Sequence, residues 1–347
     1  MNGGLYNTSG ETKVKNKIYN EKLSFISYLR VFAVLCILAC HVCNEASIGA
    51  IQSLGQLFNI GVQIFLIISA FCFGRQGTID NIKFWYFKRI KRIAFPYETF
   101  FIILAVIYII KNVKMLWMSW LSCLFFVQGM HVGVLGADHT WFMTTLMICY
   151  ILTPLIEKIW KRIQYKKTKW GILVGLLIVP FIMAYLLPNY IFFITYHVCF
   201  YAIAYYVGSN WERLGKSTNK SAVIYFIVMC LAFATRFIGR AMIDGTKLYN
   251  LVIVNYTHYV AAACIFMLFS IIFSKAKILK NVQLVDGISF EIYLCHYMFI
   301  VGPVSVMYIT GNWIINSIIA VCIALLFAVI LHKLSKGMRK ILRIHGT

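Results

Sequence analysis

The sequence predicts an all-α polytopic membrane protein of about ten transmembrane helices, with both termini on the cytoplasmic side. Three observations carry that prediction. Of the 347 residues, 61% are hydrophobic and 13% charged, with a mean hydropathy of +0.79, whereas soluble domains hold about 45–50% apolar and about 25% charged residues. The apolar residues gather into runs long enough to cross a bilayer core, which takes ~20 residues. The lysines and arginines gather between those runs, on alternate loops.

A polar, basic arm over 1–22 comes first and is expected to be mobile. No cleaved signal peptide is expected, because the first apolar run begins after that arm and is itself long enough to span. Spanning runs then cover 23–43, 55–74, 93–110, 140–157, 170–187, 190–208, 221–240, 251–273, 288–309 and 313–332. A further run at 120–129 is too short to cross comfortably.

Loop charge decides how that short run sits, since basic residues collect in cytoplasmic loops. Lys13, Lys15, Lys17 and Lys22 precede the first run. Arg75, Lys83, Lys88, Arg89, Lys91 and Arg92 fill the loop 75–92, and Lys158, Lys161, Arg162, Lys166, Lys167 and Lys169 fill 158–169. All three segments are cytoplasmic only if 111–139 begins and ends outside, so 120–129 dips in or lies at the interface. The remaining loops alternate: Arg213, Lys216 and Lys220, then Lys275, Lys277 and Lys280, then Lys333, Lys336, Arg339, Lys340 and Arg343 fall inside. Outside lie Lys111, Lys114, Arg236, Arg240 and Lys247. The predicted organisation is a membrane domain over 23–334 and a basic cytoplasmic tail over 335–347.

This distribution also accounts for the net charge of +22. A nucleic-acid partner is not expected, as no basic patch is interleaved with aromatics. Most of the eleven cysteines sit singly in apolar runs, as small buried hydrophobes do. Cys40 and Cys43 flank His41, but no second cluster of ligand spacing lies nearby, and no metal is expected.

The first run, YLRVFAVLCILACHVCN over 28–44, holds Arg30 and His41 in a segment that is otherwise almost all hydrocarbon. Eleven residues at 100° each bring them about 20° past three full turns, so on a helix they share a face, ~16 Å apart. Arg30 could simply snorkel to the headgroups, and His41 could be an interfacial histidine or a helix–helix hydrogen bond. Intramembrane ionisable residues are costly, however, and a cofacial pair is a functional candidate. A desolvated histidine stays neutral and can accept a proton, while arginine supplies a fixed cation with a fork of donors. Such a face could hold a long donor with its reactive end at the base.

These residues, in the pattern R-x10-H, resemble the signature of the acyltransferase-3 family of membrane acyltransferases. Four further stretches agree in order: FNIGVQIFLIISAFCFG at 58–74, Arg89-Ile-Lys-Arg-Ile-Ala-Phe-Pro at 89–96, HTWFMTTLMICYILTPLI at 139–156 and GISFEIYLCHYMF at 287–299. The resemblance covers about 24–334. The sequence departs from the family pattern at Gln63, where an acid is common, at Ala70, where Gly is usual, and at Glu291, in an ordinarily uncharged place.

The resemblance implies an O-acyltransferase of a plasma membrane, bacterial by expectation, that moves acetyl from acetyl-CoA to a hydroxyl of a cell-surface polysaccharide or lipid-linked sugar. His41 is then the general base. Arg30, Arg89 and Arg92 are expected at the donor, the last two holding its phosphates as charge-assisted pairs; the plain alternative for Arg89 and Arg92 is a positive-inside anchor. Glu98 and Glu291 lie at a depth similar to Arg30, and at least one is expected to pair with it. His139, Trp141 and His296 are candidates for the acceptor. His197 and His258 join His41 and His139 near outer helix ends and would line the same pocket if they converge. Arg236 and Arg240 either snorkel or attract an anionic glycan. The competing class is a polysaccharide or lipid transporter, against which stands the lack of a broken-helix pair at matching positions in two halves.

Overall fold

The computed structural model describes residues 23–128, 133–187, 189–215 and 218–341; the arm at 1–22 lies outside them. The first apolar run forms α1 (Ser24–Asn44). A short α2 (Gly49–Gly55) follows, then α3 (Gly61–Arg75), α4 (Ile82–Ile110), a short α5 (Trp117–Leu124), α6 (Trp141–Arg162), α7 (Lys166–Leu186), α8 (Asn189–Ser209), one turn α9 (Trp211–Leu214), α10 (Asn219–Ile243), α11 (Val254–Ile272), α12 (Lys280–Ile300) and α13 (Trp313–Ile341). A 3₁₀ turn at Asp138–Thr140 leads into α6, and a π-helical turn at Leu248–Ile253 leads into α11. No strand occurs among the described residues.

A helix overlaps each predicted run, and among the described residues seven helices, rather than ten, are long and apolar enough by themselves to cross a membrane. The boundaries differ where polar residues join an apolar helix. α4 begins at Ile82 rather than at 93, because the basic stretch IKFWYFKRIKRI alternates its charges around the helix, and Asn81 caps it by accepting from the Phe84 N–H at 2.9 Å. α12 begins at Lys280 and ends at Ile300, before Gly302 and Pro303; the expected run was 288–309. α13 continues through 335 without a break to Ile341. The short run at 120–129 overlaps α5, eight residues with Trp117, Leu121 and Leu124 exposed, and its last residue lies outside the described ones.

α1 lies inside the bundle, packed on α3, α11 and α12, with Leu29 and Ala33 fully buried. Its start adjoins the end of α11, where Ser24 Oγ donates to the Phe273 carbonyl at 2.6 Å. Its end adjoins α13, where Trp313 Nε1 donates to the Val42 carbonyl at 3.2 Å. We call these the proximal and distal ends. α3 and α8 approach most closely at two glycines: a Cβ on Gly74 would fall 2.2 Å from the Tyr205 carbonyl oxygen, and one on Gly208 would fall 2.2 Å from that of Phe71. α7 and α10 bury little of their apolar surface, as expected of helices that face lipid.

Candidate functional site

Two regions meet on α12. The first is a cavity of about 420 Å³ toward the proximal end, a volume in the usual range for ligand pockets, ~300–1,000 Å³. Arg30 of α1, Arg89, Arg92 and Pro96 of α4, Asp286, Glu291 and Tyr293 of α12, and His332 and Arg339 of α13 line it. The expected grouping of Arg30 with Arg89 and Arg92 is therefore present.

The expected partner of Arg30 is not. Glu98, half-buried on α4, does not line the cavity and joins none of the ion pairs among the described residues. Glu291 does line it but takes His332, whose Nδ1 lies 2.6 Å from its carboxylate. Arg30 Nη1 instead donates to Asp286 at 2.6 Å, and the second Asp286 oxygen accepts from Ser27 Oγ at 2.8 Å. The physical reason is depth. Asp286 is the seventh residue of α12 and Arg30 the seventh of α1, and the two helices start at the same end. Sequence reading missed Asp286 because a hydropathy threshold starts this helix at 288.

Arg89 is held in place by uncharged contacts. Its guanidinium carbon lies 4.7 Å from the Phe73 ring centroid and 5.7 Å from that of Trp85, and Nη2 donates to Gln76 at 2.7 Å. Cation–π contacts of this kind orient an arginine without neutralising it.

The second region lies farther toward the distal end and is a cluster of histidines. The His41 ring centroid is 5.2 Å from that of His296 and 6.4 Å from that of His139, and the latter two are 4.8 Å apart. Tyr297 closes the group, 4.8 Å from His41 and 5.1 Å from His139. The Tyr293 carbonyl lies 2.8 Å from His139 Nε2 and 2.7 Å from His296 Nδ1. A carbonyl only accepts, so both nitrogens carry the proton and donate. In the neutral rings, His139 Nδ1 and His296 Nε2 then hold lone pairs; both are buried without a partner. Tyr293 OH also donates to the His139 carbonyl at 2.7 Å. One residue thus fixes two imidazoles and, with Phe142, also lines the cavity.

Trp141 is not in this cluster. It stacks on His197, with ring centroids 5.8 Å apart, and meets Phe193 edge-on at 4.7 Å. His139 and Trp141 are two residues apart, ~200° around a helix, so they face opposite ways. His197 Nδ1 bonds to Tyr259 OH at 2.7 Å, and His258 bonds to Arg236, so neither converges on His41. Arg236 is buried, donating to the Gln56 carbonyl at 2.7 Å and to its side chain at 2.9 Å. It ties α10 to the α2 loop rather than offering a surface charge to a glycan. The residues that sequence reading left out are Asp286, Tyr293, Tyr297, His332 and Arg339. The signal for the first two was present: Asp286, Ser289, Tyr293 and His296 recur at helical spacing on one face.

An apolar helical bundle with seven helices of spanning length among the described residues, a cationic cavity and a knot of imidazoles beside it defines a multi-pass membrane protein. The family model described as an acyltransferase domain matches residues 23–333, nearly the whole chain. The chain belongs to this family, which is made up of acyltransferases, and is a membrane acyltransferase rather than a transporter. Comparison with curated proteins and with solved structures gave no match.

Proposed function

We propose that the protein moves an acetyl group from acetyl-CoA to a hydroxyl of a cell-surface polysaccharide or lipid-linked sugar, in a bacterial plasma membrane. The chain crosses ten times with both termini cytoplasmic, which makes the proximal end cytoplasmic. The observation that carries the reading is the adjacency of the two regions: Arg30, Arg89 and Arg92 line one cavity, and Tyr293 at that cavity's wall also tethers the histidines around His41.

The donor enters from the cytoplasm, with its phosphates on Arg89 and Arg92 and its thioester toward His41. His41 takes the proton of the acceptor hydroxyl as that oxygen attacks the thioester carbonyl carbon. The C–S bond breaks, and the leaving thiolate recovers the proton from His41. His139 and His296 present lone pairs to acceptor hydroxyls. Neutral acceptor nitrogens suit a hydroxyl-rich group, because each hydroxyl can donate to one.

The test follows radiolabelled acetyl from acetyl-CoA in membranes that hold equal amounts of wild type or His41→Ala. Label in a base-labile product with wild type alone supports an O-acyltransferase with His41 as base, and the labelled fraction identifies the acceptor class. Equal labelling by both proteins removes His41 from the chemistry. No labelling by either, with native glycan supplied, removes acetyl-CoA as the donor.

A further inference from the structure

The cavity's charges do not balance. It is lined by Arg30, Arg89, Arg92 and Arg339, against the carboxylates of Asp286 and Glu291. Asp286 is taken by Arg30 and Glu291 by His332. Among the described residues, none of the ion pairs involves Arg89, Arg92 or Arg339. Three guanidiniums therefore share one cavity without a carboxylate. All three keep contact with water, Arg92 exposed and Arg89 and Arg339 half-buried, so they persist without a fixed counter-ion, and together they suit a multiply charged anion.

Arg339 is the unexpected member. By sequence it belongs to a basic tail, where its role would be to hold that segment in the cytoplasm. In the structure it lies near the end of α13, which remains helical through this point and packs against α4. Thr99 Oγ1 of α4 lies 3.2 Å from Met338 Sδ, and the Arg339 guanidinium stands 5.9 Å from the Phe95 ring centroid. Its Nε is buried without a hydrogen-bond partner, as is that of Arg89. His332, seven residues earlier and so on the same helix face, lines the cavity too. The last helix thus presents a polar face to the donor space.

We propose that Arg339 is a donor-binding residue, completing with Arg89 and Arg92 a three-arginine cradle for the phosphates of the coenzyme A thioester. This rests on the donor reading given above. A guanidinium fork matches phosphate oxygens two at a time, and three forks from two helices suit a ligand that carries several phosphate groups.

The test compares two donors that share the acetyl thioester but differ in phosphate: acetyl-CoA and S-acetylpantetheine, which lacks the nucleotide. Initial rates are measured for wild type, Arg339→Gln and Arg339→Lys in membranes at matched protein levels. Arg339→Gln is expected to raise the KM for acetyl-CoA about tenfold, as loss of one charge-assisted contact does, with no change in the KM for S-acetylpantetheine. Arg339→Lys keeps the charge but loses the fork and is expected to raise the acetyl-CoA KM only two- to threefold, roughly. It carries the same test where the Gln variant does not accumulate. Equal KM changes for both donors, or none for either, would overturn the assignment of Arg339. Wild type with the same KM for both donors would overturn the donor reading itself, and this inference with it.

Discussion

Around Arg30 the side chains are held by carboxylates. Asp286 meets Arg30, Glu291 meets His332, and three arginines are left over for a ligand. Around His41, farther along the same two helices, the tethers are uncharged: a backbone carbonyl binds two imidazoles and tyrosine rings pack their edges. The difference suits the two tasks. In the proposed reading an anionic donor is captured by fixed cations, which cost little while they stay near water. In the proposed reading His41 is the base, placed by ring contacts with His139, His296 and Tyr297 rather than by a counter-ion. If the proposed reading holds, each region controls a different kinetic constant: cradle residues act on donor KM, histidines on kcat.

The sharpest way to break that division is at its extremes. His41→Ala should lower kcat by ~10²–10⁴, the range for a lost general base, with donor KM little changed in the same rate measurements. Conversely, Arg89→Gln with Arg92→Gln should raise donor KM ~10²-fold or more, at ~1.5–3 kcal/mol for each charged contact, while kcat moves little. A His41 effect that falls on KM would dissolve the comparison.

The next effect is on stability. Asp286→Ala leaves Arg30 unpaired in a largely enclosed position and should cost about 3 kcal/mol, the low end for a broken buried pair, because the Arg30 side chain keeps 25% of its exposure. Adding Arg30→Met should return most of that loss in a thermal-unfolding measurement, since an apolar pair often replaces a buried ionic one without penalty. Tyr293→Phe removes the hydroxyl bond to the His139 carbonyl but keeps the carbonyl that tethers both rings. It should cost ~1 kcal/mol and reduce kcat less than tenfold. The smallest effect is expected at Lys83, exposed near the start of α4 and in none of the ion pairs among the described residues. Lys83→Ala should cost no more than ~0.5 kcal/mol and leave both kinetic constants as they were, which makes it the control for the series.

Much of this was legible in the sequence. Hydropathy located every long helix, and the R-x10-H spacing with the paired arginines of 89–92 named residues that line the cavity or form the histidine cluster. What escaped reading had physical causes. Asp286 fell outside a window that admits only apolar residues, though it begins the polar face of α12. Arg339 was explained by position alone, because loop charge reads the same whether a side chain faces water or a cavity. Trp141 was grouped with His139 by motif, and helical geometry turns the two apart. The meeting of His41, His139 and His296 joins three helical segments far apart in the chain, and no local pattern encodes that contact.

The Arg30–Asp286 pair spans 256 residues of sequence, and this separation has a consequence during synthesis. At ~5–20 residues per second, translation takes roughly 10–50 s to supply Asp286 once Arg30 has been made. Through that interval the first helix sits in the membrane with a cation and no counter-ion, a state it tolerates because Arg30 is near enough to the helix start to reach the headgroups. The ribosome therefore finishes most of the chain before the arginine-lined cavity exists, and a truncated product that stops short of α12 lacks the wall that Asp286, Glu291 and Tyr293 supply to it.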